Sequence, residues 1–174
     1  MSDAEPKDEI TAISFGEKLV SSVAFKDLFR EGMALVENTA AYLDGPGRDD
    51  SRDLVRAGAL AYATESMRLT TRLMQLASWL LLQRAVNEGE MTPEQARREK
   101  NKVKLSALAP EPDGESFAML PDKLADLVRH SVRLQARIRR LDDVLARSGS
   151  SVIDGDNAVE QQLERLRQAF SQRA

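Results

Sequence analysis

Apolar residues recur at intervals of three and four along most of the chain, the period of a helix that buries one face. The first run predicts a helix over residues 22–43. Phe25, Phe29, Met33, Val36, Ala40 and Leu43 share a face, and Leu28 and Leu35 widen it. Ser21 or Ser22 can cap its start by accepting a bond from an orphan amide. Gly32 costs about 1 kcal/mol relative to alanine inside a helix. It reads either as a point of close helix approach or as a tolerated glycine. Asp44-Gly45-Pro46-Gly47-Arg48 predicts a turn, so the first two helices form an antiparallel pair.

The second run predicts one continuous helix over residues 50–88, almost 60 Å long at about 1.5 Å per residue. It starts at Asp49, Asp50 or Ser51 and stops at Gly89. One seam is Tyr62, Ser66, Leu69, Leu73, Leu76 and Leu80. A neighbouring seam is Leu60, Ala63, Met67, Thr70, Met74, Ala77 and Leu81. Together they make a stripe broad enough to touch two partner helices. The opposite side carries Arg68 and Arg72 early, then Trp79, Leu82 and Val86. The second half is therefore apolar nearly all round. Trp79, Leu82 and Val86 are candidates for a subunit contact, or for a cover supplied by residues 105–120.

Thr92-Pro93-Glu94-Gln95 reads as a new start, with threonine as cap, proline at the first helical position and Gln95 closing a capping box. A short basic helix follows over residues 92–103. Residues 105–120 hold Pro110, Pro112 and Gly114 and predict an irregular linker. Leu124, Leu127, Ser131, Leu134, Ile138, Leu141 and Leu145 form a heptad seam, predicting a helix over residues 121–147. Ser148-Gly149-Ser150-Ser151 ends it. A last amphipathic segment places Val159, Leu163, Leu166 and Phe170 on one side, as a candidate docking element for a partner.

The expected architecture is all-α: a three-helix bundle with long antiparallel helices, dimeric, with flexible tails. Residues 1–13 form a disordered acidic tail, rich in Asp3, Glu5, Asp8 and Glu9. Residues 14–147 form the bundle domain. Residues 148–174 form a flexible C-terminal tail with the amphipathic segment. Composition agrees. Of 174 residues, 42% are hydrophobic and 30% charged, enough for a core with a well-solvated surface, and aromatics at 5% argue against a sheet.

The chemistry that the composition permits is narrow. There is no cysteine, which removes disulfides, thiol nucleophiles and thiolate metal sites. The single histidine, His130, has no second histidine to join it in a metal cluster and reads as structural. Gly45-Pro46-Gly47 precedes a helix but lacks the lysine and the strand of a phosphate loop. The chain reads as a non-enzyme, with no cofactor and no metal. The acidic start lacks the pattern of a signal peptide. The uncharged run between Arg72 and Arg84 falls short of the roughly 20 residues of a membrane span. Arg129, Arg133, Arg137 and Arg140 line one side of the last long helix, and Arg97 and Arg98 add a second basic patch. Such stripes can neutralise phosphates, which makes a nucleic-acid-binding regulator the alternative reading. The interleaved Asp126, Asp142 and Asp143 and the formal net charge of −3 favour a solvated, internally paired face.

Two stretches carry a resemblance. Tyr42-Leu-Asp-Gly45 and the long run from Glu65 through Ala77-Ser-Trp-Leu to Val86, with Gly89-Glu-Met-Thr92 and the arginines of the last helix, resemble the alphaproteobacterial regulator-of-CtrA-degradation family (a DUF1465-type family). The similarity covers nearly the whole chain. It implies a helical dimer without enzymatic activity, acting as a cytoplasmic adaptor of the cell cycle, recruited to a cell pole. Such an adaptor binds the ClpXP protease once the response regulator CpdR has primed it. It then delivers cargo, or recruits PopA for delivery of CtrA. The resemblance transfers no catalytic residue and assigns no partner-binding position.

Overall fold

The computed structural model describes residues 23–102 and 114–171, with side chains described for residues 23–102 and 114–147. Ser21, Ser22 and the acidic N-terminal stretch lie outside the described residues. So do residues 103–113 and the side chains of Val159, Leu163, Leu166 and Phe170.

The protein is all-α. Its order is α1 (Val23–Asp44), α2 (Pro46–Arg52), α3 (Arg56–Asn87), α4 (Pro93–Lys102), α5 (Gly114–Ala118) and α6 (Asp122–Ser171). Three long helices, α1, α3 and α6, share one core. Phe25, Leu28, Leu35 and Tyr42 of α1 meet Leu69, Leu73, Leu76, Trp79 and Leu80 of α3. Leu124, Leu127, Val128, Leu134 and Ile138 of α6 close the third side. The buried stripe of α1 is Phe25, Leu28, Gly32, Leu35, Thr39 and Tyr42, so the core face is centred on the side that Leu28 and Leu35 were expected only to widen; Phe29, Met33, Val36 and Leu43 flank it half-buried and Ala40 is exposed. The α6 heptad seam is buried as far as Ile138.

Contacts fix the directions. Phe29 lies under Arg84, Gly32 against Leu80, and Gly47 against Tyr62, so α1 and α3 run antiparallel. Gly58 approaches Met119, Arg72 reaches Ser131, and Trp79 reaches Asp142, so α3 and α6 run parallel. Gly32 marks a close approach. A side chain there would collide with buried Leu80, and Leu134 lies 3.7 Å away.

The central helix is not continuous. Pro46 starts α2, a seven-residue helix, where a plain turn was expected, and the chain breaks at residues 53–55 before α3 begins. Two contacts hold α2 across the end of α1. Tyr42 donates its hydroxyl hydrogen to Asp50 Oδ2 at 2.7 Å. Gly47 is buried beneath the Tyr42 and Tyr62 rings, at a distance only a residue without Cβ permits. Val55 is extended (ψ 158°) and turns the chain into α3.

Other boundaries follow local chemistry. Gly89 takes φ +74°, the amides of residues 88 and 90 bond back to the last turn, and α3 stops. Thr92 and Gln95 form the expected reciprocal capping box: the Gln95 amide donates to Thr92 Oγ1 at 3.2 Å, and the Thr92 amide to Gln95 Oε1 at 3.0 Å. The last helix departs from expectation. It runs on through Ser148-Gly149-Ser150-Ser151 to Ser171. Glycine and serine cost a helix about 1 kcal/mol or less apiece, whereas proline costs about 3, and no proline follows Pro121. The end of the expected linker is also structured, with residues 114–118 helical and Leu120 buried.

Candidate functional site

Among the described residues, no group of three or more His, Asp or Glu side chains could hold a metal ion, and no helix is long and apolar enough to cross a membrane. The surfaces that remain are two sides of the bundle and the short helix α4.

The first surface lies on α3. The two seams expected to face inward separate. Leu69, Leu73, Leu76 and Leu80 are buried, but Leu60, Met67, Met74 and Leu81 stand 70%, 71%, 66% and 52% exposed. Their spacing is seven residues throughout, so they form one ridge about 32 Å long that winds slowly around α3, by about 20° per heptad. The inward side joins Leu69, Leu73, Leu76 and Leu80 with Ala61, Glu65, Arg72, Trp79 and Gln83, which were not expected there. Polar residues sit in it because each finds a partner. Arg68 donates to Glu65 Oε1 at 2.6 Å. Arg72, expected on the outer side, is buried and donates to Ser131 Oγ at 3.0 Å, and Ser131 in turn donates to the Val128 carbonyl. The sequence signal for this was the 65–69–72–76–79–83 alternation of four and three. Its polar members hid it.

The second feature is the cover over Trp79. Trp79 is 1% exposed, so it offers nothing to a second subunit. Its indole N–H donates to Asp142 Oδ1 at 2.7 Å. Helix α4 lies over it. Ala96 is buried, and the Lys100 ammonium stands 4.4 Å from the ring centroid. Lys100 also donates to Gln83 Oε1 at 2.8 Å and to Asp142 at 3.4 Å. Burial pushes Lys100 below the ordinary lysine value, and Asp142 opposes that shift. Leu82 and Val86 are half-buried. The cover on this half of α3 thus comes from α4. Asp142 is spent on this cluster and does not balance the arginines of α6.

The third surface is the arginine side of α6, bordering α1. Arg129 pairs with Asp126 at 2.8 Å and lies 4.9 Å from the Phe117 ring. Glu31 of α1 is bracketed by His130, 2.9 Å from its Oε1, and by Arg137 on its Oε2. Burial would raise the Glu31 carboxyl, but the hydrogen bonds from His130 and Arg137 outweigh it and hold the group below the ordinary value. His130 is thus tied to a carboxylate between helices, as a structural histidine is expected to be. Arg133 is exposed and has no hydrogen bond or ion pair among the described residues, and the Arg140 side chain donates only to the Ala136 carbonyl.

Comparison with known proteins gives matches of two kinds. The profile of the family described as "Protein of unknown function (DUF1465)" matches residues 16–170. No curated protein matches the chain. Among solved structures, the crystal structure of RcdA from Caulobacter crescentus CB15 shares 53% sequence identity, with a TM-score of 0.60, over 74% of this chain and 96% of that one. The profile spans the bundle from before α1 to the end of α6, and the chain belongs to the DUF1465 family, the family of RcdA.

Proposed function

We propose that this protein is a non-enzymatic adaptor of regulated proteolysis, which binds the primed ClpXP protease and delivers cell-cycle regulators for degradation. The observation that carries the reading is the 53% identity to RcdA across 96% of that chain. The partners are those of an adaptor: ClpXP primed by CpdR, PopA, and cargo such as CtrA. The place of action is the cytoplasm, with recruitment to a cell pole. An adaptor raises the local concentration of cargo at the protease, so contacts that are modest singly gain by tethering.

Two surfaces support the reading. The α3 ridge of Leu60, Met67, Met74 and Leu81 is apolar and open, the form of a protein contact. Its occupant is a second copy of this chain. The far part of α6 is the docking element for the protease complex, with Val159, Leu163, Leu166 and Phe170 as the contact residues. That assignment rests on their helical spacing and on the helix running unbroken to Ser171.

A reconstituted degradation assay tests the function. Purified ClpXP, CpdR and a cargo protein are combined with the full chain, and cargo loss is followed in time. The chain is expected to accelerate degradation, and a version lacking residues 152–174 to lose that effect with the bundle still helical by circular dichroism. Cargo loss at the same rate with and without the full chain rejects the adaptor reading.

A further inference from the structure

We propose that the arginine side of α6 is occupied by the acidic N-terminal segment of the same chain, through Asp3, Glu5, Asp8 and Glu9. The surface is short of local anions, and Asp143, three residues past Arg140, pairs with none of its arginines among the described residues. Between residues 129 and 140, α6 carries Arg129, Arg133, Arg137, Arg139 and Arg140 and no acid at all. Asp126, one turn before, is taken by Arg129. From α1, Glu31 is the carboxylate that reaches this side, and Arg137 and His130 already share it. Asp27, the next acid along α1, is taken by Arg30. Arg133 and the charged end of Arg140 face solvent with no anion among the described residues.

The complementary charge lies in the segment of sequence that leads into α1. Asp3, Glu5, Asp8 and Glu9 stand against the single Lys7 in the first ten residues, and this segment leads into α1 at Val23. Val23 is eight residues before Glu31, about 12 Å along the helix axis. The 13 to 19 residues between the acids and Val23 span that distance easily at up to about 3.4 Å each. Helix α4, the other basic element, lies over α3 and α6 through Lys100, whereas Arg137 borders α1 directly. Its Lys102 is paired with Glu99, which leaves Arg97 and Arg98 as the competing cations on α4.

The energetics suit a tethered segment better than a free one. Each exposed ion pair contributes roughly 0–1 kcal/mol, too little for a free peptide to hold. Covalent connection supplies an effective concentration on the order of millimolar, so a few such pairs suffice.

The absence of native cysteine makes the test direct. In the full chain, Ser2→Cys is coupled to a nitroxide, and amide peak intensities are compared before and after reduction of the label. Broadening is expected over residues 129–140. It should be lost in the charge-neutralised segment Asp3→Asn, Glu5→Gln, Asp8→Asn, Glu9→Gln and in Arg133→Ala with Arg140→Ala. It should also fade as salt is raised to about 1 M, where screening acts over about 3 Å. The arginines changed are exposed, so the fold survives and the comparison stays readable. Broadening that persists after charge neutralisation, or that centres on α4, overturns the proposal. So does duplex DNA binding that is equally tight with and without the four acids, because that shows the arginines open. None of these outcomes depends on whether the protein serves a protease.

Discussion

Lys100 shows how one side chain can seat a whole helix. Its ammonium is surrounded by an indole face, an amide oxygen and a carboxylate contributed by α3 and α6. Because burial lowers its pKa, the unfolded chain binds the proton more tightly than the folded one. Stability therefore rises with pH across the window below 10.5, the ordinary lysine value. Asp142→Asn removes the only influence that raises Lys100. It is expected to cost about 1–2 kcal/mol near neutral pH, since a largely buried cation loses its partner while the indole keeps an acceptor. The deficit should shrink as pH approaches 10, read as urea midpoints followed by Trp79 fluorescence. A deficit independent of pH would mean that the carboxylate acts only by packing. Gly32→Ala is the second test at this scale. Helix propensity favours alanine by about 1 kcal/mol, but the methyl drives into buried Leu80, and overpacking costs about 1–3 kcal/mol. A net loss of stability is expected in thermal unfolding, and a gain would show that Leu80 has room to yield. From the sequence Gly32 read two ways, because space around a residue depends on what another helix brings to it. Arg72 was placed on the wrong side for a related reason. Its hydrogen-bond partner Ser131 lies 59 positions away, and without that partner a buried arginine has no rationale.

The elements were legible where their signals were local. The Thr92–Gln95 cap and the Gly89 stop need only neighbouring residues, and both appear as expected, whereas the α1 face is rotated from the expected stripe because Gly32, Thr39 and Tyr42, not apolar by pattern, turn inward. The break between α2 and α3 is not a local signal. It comes from Tyr42 gripping Asp50 and from Gly47 fitting under two tyrosines, contacts that exist only once α1 has folded back. Gly47→Ala should therefore do more than remove a flexible residue. Its Cβ would stand 2.8 Å from the Tyr42 carbonyl oxygen and 2.6 Å from the Tyr62 hydroxyl, so backbone must move. A loss of roughly 1–3 kcal/mol is expected, with faster amide exchange across α2 and the start of α3. Unchanged exchange there would mean α2 is not held by that contact. The α1–α6 bracket has its own signature. The Glu31 carboxyl is held low, so its contribution is present above the ordinary value of 4.5 and lost as pH falls through the folded value. Glu31→Gln should flatten the decline of stability below pH 4.5 and leave the alkaline side unchanged, as measured by urea midpoints across pH.

At the scale of the molecule, α3 is the helix with two apolar sides, and among the described residues only one is covered. The core side tolerates Glu65, Arg72 and Gln83, while four large apolar residues stand outward at perfect seven-residue spacing. That inversion is why the apolar pattern singled out Trp79, Leu82 and Val86 as candidates for a subunit contact or for a cover from residues 105–120: the apolar density around Trp79 is answered by α4. The uncovered ridge fits a second copy by geometry. A strict heptad presents a seam that two helices can share with left-handed crossing, and the small Ala63, Thr70 and Ala77 alternate with the large side chains to receive knobs from a partner. Full burial of each large residue is worth about 1.5–3 kcal/mol, and two copies contribute eight such residues, which exceeds the lower range of the cost of association. The full chain should accordingly run by light scattering at twice its 19.3 kDa. Met67→Glu with Met74→Glu should yield a folded monomer, because both residues are already in water in the single chain and their exchange leaves the bundle core untouched. Leu82→Glu should instead lower thermal stability with little effect on mass, since that half-buried side chain belongs to the interior edge. A dimer that survives the two charges at Met67 and Met74 places the subunit contact elsewhere, and the ridge is then left for cargo.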